Sequence, residues 1–117
     1  MKKMTFITIF FLITAVLPAR DFFGAIALNP QTGATGYSYD HYSEDDAISA
    51  AELYCNGNCV VPVVFWNTCA AVAWSPTTLS YGWAYSTDVS YAERRALNEC
   101  QDYNCRIVSS ICTSYYY

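Results

Sequence analysis

The apolar and polar positions of this chain fall into two regimes. From Lys2 and Lys3 it enters an uncharged, mostly apolar run, Phe6–Leu17, and meets its next charge only at Arg20. Beyond that point, short alternating or β-branched stretches are separated by breakers. Gly24–Leu28 reads as a strand and Asn29–Gly33 as a turn rich in breakers. Gly36–Asp40 sets Tyr37 and Tyr39 against Ser38 and Asp40, which is strand periodicity. Ser43–Cys55 then places Ala47, Ala51 and Cys55 four residues apart, the stripe of a helix packed on a surface. Ser43 with Asp46 resembles a capping box, and Glu44, Asp45 and Asp46 suit the positive end of the helix dipole. The apolar run Val60–Trp66 is expected to be the best-buried strand, with Pro62 forcing a bulge or an edge position because it cannot donate to a ladder.

The same pattern then recurs. Val72–Trp74, a turn near Pro76 and Tyr81–Tyr85 give two strands, and Ala92, Ala96 and Cys100 repeat the helix stripe behind a Ser90–Glu93 capping box. Cys105–Cys112 is the last strand, followed by the tail Thr113–Tyr117. Ala25/Ala71, Gly36/Gly82 and Cys59/Cys105 are each 46 residues apart, and Cys55/Cys100 are 45 apart. A near-constant offset across separate blocks reads as a duplicated unit, with copies at about 22–69 and 70–117. Each copy runs strand, strand, helix, strand. The predicted fold is α+β: a mainly antiparallel sheet of about six strands with two helices on one face, disulfide-bonded, forming a single domain over 20–117.

The N-terminal pattern of a short positive region, an apolar core and then small residues is that of a secretory signal peptide, 1–19, cleaved after Ala19. The run is shorter than the roughly 20 apolar residues needed to span a bilayer. With Lys2 and Lys3 removed, four arginines face ten Asp plus Glu. That acidic balance argues against nucleic acid and against anionic membrane surfaces as partners. The expected location is periplasmic or secreted, with no membrane association after cleavage.

Six cysteines in a short exported chain imply disulfides, with fifteen possible pairings. The repeat narrows these. Cys55 with Cys59 and Cys100 with Cys105 occupy equivalent places and pair locally, leaving Cys69 with Cys112 to join the two copies. On the chain-entropy model the long loop stabilises by about 4 kcal/mol and each short one by about 2 kcal/mol. A zinc site is the rival, but there is no Cys-x-x-Cys pair and only one histidine. No metal and no cofactor is expected.

These motifs together resemble a family of small exported bacterial proteins known only as a domain of unknown function (number 4189 in that series). The residues that carry the resemblance are Gly24–Ala27, Gly36–Ser38, Ala47–Cys55, Cys59–Val64, Asn67–Ala73, Tyr81–Trp83 and Ala92–Cys100. Pro62, the acidic Glu44–Asp46 run and the Tyr115–Tyr117 tail depart from the family's pattern. The resemblance implies export and disulfides, and it brings no catalytic residues.

Candidate chemistry is sparse. His41 stands beside Asp40 and near Ser43, but no Gly-x-Ser-x-Gly elbow marks the serine, and a solvent-exposed loop histidine is the simpler reading. Glu44–Asp46 lack the spacing of a calcium loop, and helix capping already accounts for them. An even cysteine count leaves no spare thiol for nucleophilic chemistry. Aromatic content is the remaining feature, with eleven Tyr and three Trp. Tyr37 and Tyr39 share one strand face, and Trp83 and Tyr85 share the matching face of the second copy. If the helices cover only the opposite face, these four form a platform for sugars or a protein partner; otherwise they fill the core. The expected function is therefore a non-catalytic extracytoplasmic binding module for a protein or glycan ligand, one form being an inhibitor or immunity protein for a secreted hydrolase. A small secreted hydrolase using Asp40 and His41, or a structural envelope component, is the alternative.

Overall fold

A computed structural model describes residues 21–115. The expected signal peptide, together with Tyr116 and Tyr117 of the tail, lies outside the described residues. Eight elements follow in order: β1 (Phe23–Leu28), β2 (Thr35–His41), α1 (Glu44–Leu53), β3 (Val60–Trp66), β4 (Cys69–Trp74), β5 (Tyr81–Ser86), α2 (Val89–Cys100) and β6 (Arg106–Cys112). The order strand, strand, helix, strand thus occurs twice.

The α+β fold has the six antiparallel strands and two helices expected, and the strands divide into two three-stranded sheets, β2-β1-β3 and β5-β4-β6. The reason is visible in the central strands, which are apolar on both faces. In β1, Ala25 and Ala27 pack against Ala47 and Ala51 of α1, while Ile26 and Leu28 point the other way. In β4, Ala71 and Ala73 pack against Ala92 and Ala96 of α2, while Ala70, Val72 and Trp74 point the other way. The two second faces meet in one core with Val63 and Phe65. Each helix therefore covers the outer face of its own sheet, and the helices lie on opposite sides of a four-layer sandwich instead of sharing a face. Sheets with both faces covered read as continuous apolar runs, which is how β1 and β4 read.

Alanine and glycine allow the helices to sit low. A Cβ on Gly36 would come within 2.3 Å of the Ala51 carbonyl oxygen, and one on Gly82 within 2.4 Å of that of Ala96. Ser38 adds a buried hydrogen bond, its hydroxyl donating to the Ala47 carbonyl at 2.7 Å.

Three expectations need correction. Val60–Trp66 is not the best-buried strand: β1 and β4 are, and β3 runs along an edge. Pro62 gives the reason, since β3 bulges there, with Ile26 opposite Val63 and Leu28 opposite Val60. The second helix is capped by Asp88, not by a Ser90–Glu93 box. The Asp88 carboxylate accepts from the backbone N–H of Ser90 and Tyr91 at 3.0 and 3.3 Å, and a charged acceptor at the positive end of the dipole outcompetes a hydroxyl. Ser43 does cap α1, accepting from Asp46 N–H at 3.2 Å. Finally, the cysteines pair as expected, Cys55–Cys59, Cys69–Cys112 and Cys100–Cys105. Cys69, however, is the first residue of β4 and lies opposite Cys112 of β6. The long bridge therefore closes the second sheet on itself and does not join the two halves.

The halves are joined by other means. The Trp74 indole N–H donates to the Pro30 carbonyl at 2.7 Å, and its ring lies against Gly33, which turns at φ +82°. At the far end, the Asp40 carboxylate accepts from both the backbone N–H and the hydroxyl of Ser114. Among the described residues no buried side-chain polar atom lacks a partner.

Candidate functional site

The aromatic strand positions are at the surface. Tyr37 and Tyr39 are 49% and 47% exposed, and Trp83 and Tyr85 are 42% and 56% exposed, so they are not core. Tyr37 lies opposite Ile26 and Trp83 opposite Val72, so both pairs project to the core side of their sheets. They are only partly covered because β2 and β5 are edge strands, each faced by a single edge strand of the other sheet. The sheets face each other with β2 beside β6 and β3 beside β5, which puts β2 and β5 at opposite edges. The four rings therefore form two sites and not one platform.

Each site is a groove between an edge strand and its helix. The first, about 560 Å³, is lined by Thr35–Tyr39 and His41 of β2, with Ala50 and Tyr54 from the end of α1. Tyr54 is 70% exposed, so three tyrosines and an imidazole frame an otherwise small-residue floor. The second, about 520 Å³, is lined by Tyr81–Tyr85 with Arg95 and Glu99 of α2. There the Trp83 and Tyr85 rings run nearly parallel, 6.4 Å between centroids and 16° between planes. Arg95 donates from Nη1 to the Tyr91 hydroxyl at 3.3 Å, and this bond, with Tyr91 and Glu99 nearby, raises the guanidinium pKa. Arg95 stands at the rim as a cation, as any guanidinium does.

The residues of the hydrolase alternative are largely engaged elsewhere. Asp40, at φ +61°, fastens Ser114, and the Ser43 hydroxyl caps α1. His41 closes β2 opposite Phe23 and borders the first groove. Glu44–Asp46 occupy the first turn of α1, as expected for dipole partners. Among the described residues no three His, Cys, Asp or Glu are grouped to hold a metal ion, and no helix is long and apolar enough to cross a membrane.

Tyr54, Arg95 and Glu99 were not legible as site residues from the helix stripes alone. The opposite charges of Arg95 and Glu99, one helical turn apart, were the available signal for the second groove. Tyr54 had none, because its position depends on where α1 stops. A third aromatic group joins Phe22, Tyr42 and Tyr115: Phe22 lies 5.9 Å from Tyr42 and 5.3 Å from Tyr115, between ring centroids.

Among proteins with curated descriptions, none is significantly similar to this chain. Among solved structures, the NMR structure of Rv1813c from Mycobacterium tuberculosis is similar, with a TM-score of 0.58 and 27% identity over 84% of this chain and 80% of that one. The family model described as a domain of unknown function, DUF4189, matches residues 23–112, which takes in every strand and both helices, and the chain belongs to that family.

Proposed function

We propose that the protein is a non-catalytic extracytoplasmic binding module whose ligand, a protein segment or a glycan, enters the groove between β2 and α1. One observation carries this reading: Tyr37 and Tyr39 stand about half exposed over a concave floor that Tyr54 and His41 frame. Exposed tyrosines on a rigid strand offer large apolar faces with little side-chain entropy to lose, and their hydroxyls supply hydrogen bonds at the rim. Three disulfides stiffen the scaffold behind them. The engagement of Asp40 with Ser114 and of Ser43 with the α1 cap favours binding over hydrolysis at this edge.

The test is retention of a ligand from secreted and envelope fractions, and from soluble glycans, by the oxidised protein. Tyr37→Ala with Tyr39→Ala should weaken the retained ligand at least about tenfold without changing the melting temperature. His41→Ala, which removes one side of the frame, should weaken binding less than the tyrosine pair does. Turnover of a substrate that His41→Ala abolishes would replace this reading with the hydrolase one.

A further inference from the structure

Two three-stranded sheets present four edges, and three of them carry a device that blocks strand addition. β3 has Pro62 and a bulge. β2 bulges at Tyr39–Asp40 and sets a carboxylate there. β6 opens with Arg106 and slips register between Val72 and Ala73. β5 has none of these. Its six residues, Tyr-Gly-Trp-Ala-Tyr-Ser, pair with β4 in unbroken register from Trp74↔Tyr81 to Cys69↔Ser86, and none is charged or proline. Five consecutive residues of this strand line the groove, and among the described residues no strand pairs with its outer edge. Edges left regular, uncharged and aromatic pair with another strand unless something opposes it.

We propose that the occupant is a second copy of this chain, with β5 pairing antiparallel to β5 about a two-fold axis at Trp83, so that two three-stranded sheets become one of six. This inference goes beyond the ligand groove of β2 and does not depend on it. The strand is its own complement. About Trp83 the sequence reads the same in both directions by type: Tyr81 meets the partner's Tyr85, Trp83 meets its own counterpart, and Gly82 meets the partner's Ala84. Aromatic pairs directly opposite on one face are among the stabilising cross-strand pairs, while the small residues keep the helix side clear.

The helices agree. α2 packs over both β4 and β5. With strands about 4.8 Å apart, a helix seated midway would lie about 10 Å from its partner, an ordinary packing distance. Gly82 lies beneath the Ala96 carbonyl and the Cys100 N–H, so the axis at Trp83 passes near the midpoint of Arg95 and Glu99. The two helices would run antiparallel, and each Arg95 would face the partner's Glu99. Isologous interfaces require such reciprocal pairs.

Sedimentation equilibrium on the oxidised protein tests this. Wild type should dimerise reversibly. Trp83→Lys should raise the dimer dissociation constant about a hundredfold, since a lysine on an edge opposes pairing. Because that variant also removes a ring, charge exchange provides a second readout. Arg95→Glu alone and Glu99→Arg alone should each raise the constant about tenfold, and the double exchange should restore it to within a few-fold of wild type. A monomer at millimolar concentration would overturn the proposal, as would a dimer indifferent to Trp83→Lys and to both single charge reversals. A monomer that binds an extended peptide along β5 would assign the edge to a foreign strand instead.

Discussion

Gly36 and Gly82 occupy matching points of the two halves, and the same event takes place at each: a helix comes down until its backbone touches the edge strand. Up to that layer the halves are built alike, with alanine facing alanine between helix and sheet and larger side chains filling the seam. At the outer edges they diverge. The first edge is interrupted by a bulge, tied by Asp40 to Ser114 and framed by Tyr54 and His41. The second is regular and bordered by the charges of Arg95 and Glu99. Interior packing tolerates little variation in volume, so equivalent halves keep the same small residues there. Edge positions carry no such restriction, and the two edges are free to differ.

Substitutions made in parallel can break or sharpen this comparison. The largest asymmetry should come from the disulfides. Replacing Cys69 and Cys112 with alanine should cost about 4 kcal/mol in denaturant unfolding, against about 2 kcal/mol for either Cys55/Cys59 or Cys100/Cys105. Equal losses for all three would mean that the long bridge does not constrain the unfolded chain as its 43-residue separation demands. Next, Gly36→Val and Gly82→Val should each cost about 3 kcal/mol, because neither backbone can recede from the added methyl groups. A loss at one and not the other would show that only one helix is seated as closely as described. The caps should differ more gently. Asp88→Ala and Ser43→Ala should each cost about 1 kcal/mol, while Ser90→Ala should stay within about 0.5 kcal/mol. Smallest of all, Tyr37→Ala and Tyr39→Ala should shift stability within about 0.5 kcal/mol, since both rings lie beyond the core, and a larger loss would return them to it.

Periodicity made the elements legible, because a strand or helix announces itself through residues two or four apart. The alanine stripes named the helix faces correctly, and the matched spacing of Cys55–Cys59 and Cys100–Cys105 named two local bridges. The layer arrangement was less accessible. Ala25-Ile26-Ala27-Leu28 and Ala70-Ala71-Val72-Ala73 are apolar on both faces, which admits either one broad sheet or two stacked ones. What decides is that both small faces are taken by helices, leaving the large faces only each other. Burial of Val60–Trp66 is overestimated when hydrophobicity is weighed above Pro62, which sets an edge by backbone chemistry. The aromatic residues were identified as a group, but their division depended on strand order, which periodicity does not encode. Tyr54, Arg95 and Glu99 join the grooves only through the way each helix crosses its edge strand.

The placement of Trp74 has a spectroscopic consequence. Of the three tryptophans, Trp66 and Trp83 are 52% and 42% exposed, while Trp74 is 4% exposed, lodged between the Gly33 turn and the core. Its indole therefore emits from the seam, and its partner in hydrogen bonding, Pro30, belongs to the other half of the chain. Replacing Trp66 and Trp83 with phenylalanine would leave a single tryptophan, which can be excited at wavelengths where tyrosine does not absorb. It sits away from the solvated edges, where one sheet closes upon the other. In a refolding experiment followed by near-ultraviolet emission, that lone probe would time the meeting of the halves separately from the formation of either one.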